Sequence, residues 1–294
     1  MTGGEVSRVY PALARMEPTL FGLSIVGTTG RVFEAGDALH PFTIMSVSKP
    51  FVMALVCQRL GFEAVREKIG ANATGRAFNS VAAIEASPDG RTNPMVNAGA
   101  IATTSLVPGD GPAARWDFIR HGLSRFAGRE LVIDAEVYQS AGETNFRNRG
   151  LAAVLQSRDR IYCDAAEAVD LYTRQCALRV TAHDLAVMGA TLADGGVNPL
   201  TGEQVVDALA CRYALAVMAT AGMYEASGDW LCDIGLPGKS GIGGGIVTVS
   251  PGKGALGSFS PPLDGAGNSL RGILAARSLS ERLGLDIFVS APGI

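Results

Sequence analysis

The sequence predicts an α/β fold: a mainly antiparallel sheet flanked by helices, with a helical lobe carried between its strands. Three observations predict it. Strand patterns lie toward both ends of the chain, helical periodicity fills the middle from about 62 to 209, and neither a low-complexity linker nor a repeat of roughly 20–50 residues divides them. A single hydrophobic core stops growing near roughly 250–300 residues. The 294-residue chain is therefore expected to be one domain over 1–294, with a sheet lobe from 1–60 and 210–294 and a helical lobe from 61–209.

From Pro18 the text PTLFGLSIVGTTGRVFEAGD reads as two short strands around the turn Gly27-Thr28-Thr29-Gly30, because β-branched and aromatic residues flank a glycine-bounded reversal. Phe51, Leu55 and Leu60 recur at helical spacing, so a first helix opens near Ser46 and stops at Gly61. The middle holds helical text in WDFIRHGLSRFAG, NRGLAAVLQSR, AAEAVDLYTRQCAL and TAHDLAVMGATLADGG, the last with Thr181 as its cap. CRYALAVMATAGMYEASGDW is helical and then breaks. GLPGKSGIGGGIVTVSPGKGALGSFSPPLD alternates glycine-rich turns with short apolar strands, and RGILAARSLSERLGL closes as an amphipathic helix.

With 47% hydrophobic and 18% charged residues the chain can bury a large core, and a net charge of −3 gives no basic surplus for a nucleic acid or an anionic membrane. A small-molecule partner fits better. The first twenty residues lack the basic and apolar regions of a signal peptide, and the longest apolar run, Phe51 to Cys57, is too short to span a bilayer, so a cytoplasmic location is expected. Cys57, Cys163, Cys176, Cys211 and Cys232 form no Cys-x-x-Cys pair and sit in apolar text, which suits reduced, buried thiols. His40, His121 and His183 are too scattered to share a helix face, so no metal is assigned.

Ser46-Val47-Ser48-Lys49 places a hydroxyl and an amine three residues apart, hence on one face of a helix that begins there. Free N–H groups at a helix start favour an oxyanion, and a buried lysine can lose its proton near neutrality and act as a base. A capping serine followed by a surface lysine would use the same four letters. Ser250-Pro251-Gly252-Lys253 has the same spacing inside a Pro-Gly turn and is set aside. Pro50 would clash with the Ser46 carbonyl if it stood fourth in a regular α-helix. Lys239-Ser240-Gly241 sits where a strand enters a glycine-rich turn, a place where backbone N–H groups can approach a ligand or where glycine serves only the turn. The chain has four lysines, and Lys49 and Lys239 both fall in these motifs.

A Ser-x-x-Lys at a helix start paired with a late Lys-Ser/Thr-Gly on a strand resembles the serine β-lactamase and penicillin-binding-protein layout. FTIMSVSKPF, NPMVNAGAI, RNRGLAAVL, DLYTRQCAL, GMYEASGDW, GLPGKSGIGGGI and FSPPLDGAGNS, over nearly the whole chain, resemble the serine-dependent L-glutaminases. The resemblance implies a β-lactamase/transpeptidase-like fold and hydrolysis of L-glutamine to L-glutamate and ammonia. It implies Ser46 as nucleophile, Lys49 as base and Tyr224 as proton relay, with Lys239, Ser240 and Gly241 in support. It also implies backbone N–H groups of Ser46 and Ile242 at the oxyanion, and Asn97, Asn148 and Tyr172 on the substrate. No cofactor is expected, and a homodimer or homotetramer is.

The likeness breaks at the amino-acid end of the substrate. The family's glutamate for the α-ammonium stands seven residues before the asparagine of the Arg-Asn-Arg segment, where this chain has Ala141, and its N-terminal binding tyrosine aligns with Val9. Met45 stands where glutamine is usual, and Glu143, Tyr10 or a moved loop are the available substitutes. Two further readings follow: the same chemistry on another small amide, lactam or ester, or a non-catalytic member of the family.

Overall fold

The computed structural model describes residues 3–290. Strands β1 (Gly22–Gly27) and β2 (Val32–Gly36) form the expected hairpin, closed by the Gly30 N–H donating to the Gly27 carbonyl at 2.9 Å, with Gly30 at φ +78°. β3 (Phe42–Thr43) leads into α1 (Lys49–Leu60), α2 (Phe62–Ile69), α3 (Ala82–Glu85), α4 (Asn97–Ser105), α5 (Pro112–Ala127), α6 (Ala135–Thr144), α7 (Phe146–Gln156) and α8 (Ala165–Cys176). After β4 (Arg179–Val180) come α9 (Ala182–Ala193), α10 (Ala208–Ala221) and α11 (Ser227–Ile234). The strands β5 (Gly238–Ser240), β6 (Gly245–Ser250) and β7 (Gly254–Phe259) precede α12 (Leu270–Leu283).

The five-stranded sheet has the order β2-β1-β7-β6-β5, and every neighbouring pair is antiparallel, so the two ends of the chain meet at β1 and β7. The expected mixture of helices with an antiparallel sheet is what the chain forms. Successive strand residues point to opposite faces, and β6 uses both. Val247 and Val249 join the main core, whereas Ile246 packs with Trp230, Leu256 and Ala276 beneath α11 and α12. Burial on both faces explains why β6 and β7 read as continuous apolar and small residues rather than as an alternation.

α9 covers the main-core face. A Cβ added at Gly189 would stand 2.6 Å from Ala255 Cβ and from Val247 Cγ2, so the helix approaches the sheet this closely only with glycine there. α9 starts at a capping box in which the Thr181 hydroxyl accepts from the Asp184 N–H while the Asp184 carboxylate accepts from the Thr181 N–H. It lies within 61–209, yet packs on the sheet; α1, α2, α4, α5, α7, α8 and α10 contribute buried residues to the same hydrophobic cluster. Residues 1–2 and 291–294 of the expected domain span lie outside the described residues.

Candidate active site

The short pair β3–β4 fixes the entry to the site: Phe42 faces Val180, Thr43 faces Arg179, and the Ile44 N–H donates to the Leu178 carbonyl at 2.9 Å. Met45 then adopts φ +47°, a left-handed conformation that costs a non-glycine residue on the order of 1–3 kcal/mol and that the surroundings must hold. The regular helix does not open at Ser46. Met45–Ser48 form a 3-10 turn, in which the Lys49 N–H donates to the Ser46 carbonyl, and α1 begins at Lys49. Pro50 thus stands second in α1, where no N–H is required, and the expected clash with the Ser46 carbonyl does not arise.

Ser46 and Lys49 are both buried, Lys49 to 2% exposure. The Lys49 ammonium nitrogen donates to the Met95 carbonyl at 3.1 Å and to Asn97 Oδ1 at 2.8 Å. Burial pulls its pKa down to about 7, against a smaller opposing effect of the Cys176 thiol. Asn97 opens α4 and links the site: its Oδ1 also accepts from the Tyr172 hydroxyl at 3.2 Å, and its Nδ2 donates to Asn148 Oδ1 at 3.1 Å. Asn148 on α7 and Tyr172 on α8 are both buried, and burial raises the Tyr172 phenol well above its ordinary range.

From the other side comes the segment after α10. Tyr224 has φ +57°, its hydroxyl donates to the Ser240 carbonyl at 3.0 Å, and its pKa is raised by burial, with a hydrogen bond to Ser46 acting against that rise. Lys239 lies behind it with no exposed surface, 4.2 Å from the Tyr224 ring centre, donating to the Gly222 carbonyl at 2.8 Å and the Ser240 carbonyl at 2.6 Å. Burial, and then the Lys49 charge, depress its pKa well below the lysine range. The Ser240 side chain is buried, and its carbonyl receives both groups. At Gly241 the turn comes so close to the nucleophile segment that a Cβ would meet the Ile44 carbonyl oxygen and Val47 Cγ2, each at 3.1 Å. Among the described residues, the backbone N–H groups of Ser46 and Ile242 have no backbone acceptor.

Ser46, Asn97, Asn148, Tyr172 and Ile242 line one cleft, with Lys49 hydrogen-bonded to its wall residue Asn97. Sequence reasoning missed Phe78, Asn79 and Arg147 in that lining, and took Cys176 only for a buried thiol. Its place one helical turn beyond Tyr172 was the available signal. Val9 and Tyr10 also reach the cleft, and Ala141, 3% exposed, closes a small recess behind it with Tyr10, Met45, Val137 and Cys176. Glu143 is exposed and lines neither space.

The five cysteines are unpaired, but the expectation that all are buried fails. Cys163 and Cys176 are partly exposed, and Cys232 is exposed because Trp230 and Ile234, four residues apart, turn the other face of α11 inward. Among the described residues no cluster of three or more histidine, cysteine or acidic side chains could hold a metal, and no helix is long and apolar enough to cross a membrane.

The family model described as Glutaminase matches residues 4–288. "Glutaminase 2" of Yersinia pestis is 69% identical over 99% of this chain and 86% of its own length. "Glutaminase" of Brucella canis is 50% identical over 98% of this chain and 91% of its own. Among solved structures, a "Probable glutaminase ybaS" superposes with a TM-score of 0.96 at 46% identity, covering 98% of this chain and 93% of that one. Mglu in its glutamate form gives 0.93 at 41% identity, covering 99% and 67%.

Proposed function

Because the chain belongs to the glutaminase family, we propose that it hydrolyses the side-chain amide of L-glutamine through an acyl-enzyme on Ser46. The observation that carries the mechanism is the environment of Lys49. A neutral amine has two N–H bonds and one lone pair. The Met95 carbonyl and Asn97 Oδ1 take the two bonds, and burial makes the neutral form available near pH 7. The lone pair is then left for the hydroxyl of Ser46, one turn earlier in the chain.

In this reading Ser46 Oγ attacks the amide carbon while its proton passes to Lys49, and the oxyanion is received by the N–H groups of Ser46 and Ile242. The C–N bond breaks as the proton held by Lys49 passes through Tyr224 to the nitrogen, so ammonia leaves and Lys49 is neutral again. Water then attacks the ester as Lys49 takes its proton, and the C–O bond breaks as Lys49 returns that proton to Ser46 Oγ, releasing glutamate and restoring the Ser46 hydroxyl. Asn97, Asn148 and Tyr172 hold the substrate, and Lys239 braces Tyr224 from behind. The glutamate-bound form of the structural relative Mglu supports a ligand of this class. A location in the cytoplasm and a homodimer or homotetramer belong to the same proposal, the latter open to sedimentation analysis.

The test is ammonia release from L-glutamine by the intact protein, with the Ser46→Ala protein as control. Release that depends on Ser46 supports the reading. No release from L-glutamine, or equal release by the control, refutes it.

A further inference from the structure

The charge of the cleft is one-sided. Among the described residues its lining contains one cation, Arg147, and no aspartate or glutamate, and the recess behind Ala141 has no acidic residue either. Glu143, beside Thr144, and Glu225, beside Tyr224, both lie outside that lining. Glu143 is exposed and accepts from Gln139 Nε2 at 3.1 Å, while Glu225 is exposed and accepts from the Phe78 N–H at 3.2 Å. Arg147 uses its Nε on the Asn79 carbonyl at 2.7 Å and is in no ion pair among the described residues, so its remaining N–H groups are open to an anion.

An amino-acid substrate brings an ammonium as well as a carboxylate. Wherever the α-carbon comes to rest in this cleft, the ammonium meets neutral amides, phenols, a thiol and apolar groups, with Arg147 repelling it. A charge-assisted bond of the missing kind is worth about tenfold to a hundredfold in affinity. The carboxylate and the amide, by contrast, each find partners.

We infer that the site selects an ω-amido carboxylate and does not select for a free α-ammonium, so that glutaramate, which is glutamine without its α-amine, is hydrolysed at least as efficiently as L-glutamine. This rests on the glutaminase reading of the same cleft. The substrate class is thereby wider than α-amino acids and includes the monoamides of simple dicarboxylic acids.

The experiment compares kcat/KM for ammonia release from glutaramate and L-glutamine, and measures the binding of glutarate and L-glutamate to the same protein by calorimetry. Glutaramate equal to or better than L-glutamine, with glutarate bound at least as tightly as L-glutamate, is the expected result. Ala141→Glu should then shift the kcat/KM ratio toward L-glutamine by tenfold or more; an unshifted ratio in a folded variant would count against the inference. A preference of the natural protein for L-glutamine above tenfold, or glutarate bound more than tenfold more weakly than L-glutamate, would overturn it. Release of ammonia from neither amide would instead refute the glutaminase reading, and the binding comparison would still decide whether the ammonium is recognised.

Discussion

Asn97→Asp places a carboxylate where an amide oxygen now accepts from Lys49 at 2.8 Å, and so tests whether the neutral amine of Lys49 drives the reaction. At an effective dielectric of about 20, two unit charges this close attract by roughly 6 kcal/mol, an upper bound before desolvation and rearrangement. Carboxylate neighbours shift measured pKa values by about 1–3 units, or about 1.4–4 kcal/mol. Lys49, now near pKa 7, would hold its proton to between about 8 and 10. At pH 7 the neutral fraction would fall from about one half to between about a tenth and a thousandth, lowering kcat/KM about fivefold to five-hundredfold. The assay is ammonia release from L-glutamine across pH 6 to 10. The acidic limb of the profile should move to higher pH by the same 1–3 units, with activity recovering in alkali. A loss of equal size at every pH would mean that Asn97 acts by contact alone and that Lys49 is not the titrating base.

Three other outcomes follow from the same geometry. Tyr224→Phe removes the hydroxyl next to Ser46 and should lower kcat by about 10²–10⁴ with KM changed less, measured by steady-state ammonia release. Gly241→Ala brings a Cβ to 3.1 Å from the Ile44 carbonyl, pushing the Ile242 turn off the nucleophile segment; kcat should fall by about tenfold or more while the circular-dichroism spectrum stays that of the natural protein. Burial holds Lys239 well below the lysine range in the folded protein, so wherever the folded lysine has lost its proton and the unfolded one has not, the unfolded chain binds the extra proton and stability rises with pH. Denaturant midpoints measured across alkaline pH should rise with pH below the unfolded lysine's titration, and Lys239→Met should flatten that rise; an unchanged slope in the variant would refute it.

Much of the fold was legible because its signals are local. The Gly27–Gly30 turn, the Thr181 cap and the apolar periods of α5, α7, α8 and α12 depend on neighbours along the chain. α9 shows the limit. It is buried nearly all round, so its periodicity has no polar face to say that it lies on the sheet rather than among the helices. The spacing of Ser46 and Lys49 and the family text together named residues that the fold brings to one cleft. The Met95 carbonyl that holds Lys49 was invisible, because any residue can supply a carbonyl. Arg147 was quoted within its motif, but its position at the cleft depends on how α6 turns into α7 around Asn145. Pro50 looked like a conflict only while the first turn was taken as α-helical; the 3-10 turn at Met45–Ser48 removes it.

The proposed intermediate is covalent, with the substrate's acyl group on Ser46 between loss of ammonia and attack of water. Rapid acid quench of the protein during turnover of L-glutamine, followed by peptide mass spectrometry, measures it directly. A glutamyl adduct is expected on the peptide containing Ser46, building up within the first turnover, absent from Ser46→Ala, and longer-lived in Lys49→Ala if any forms. Ammonia release with no adduct under any quench time, or an adduct on Ser48 or Cys176 that survives in Ser46→Ala, would contradict it.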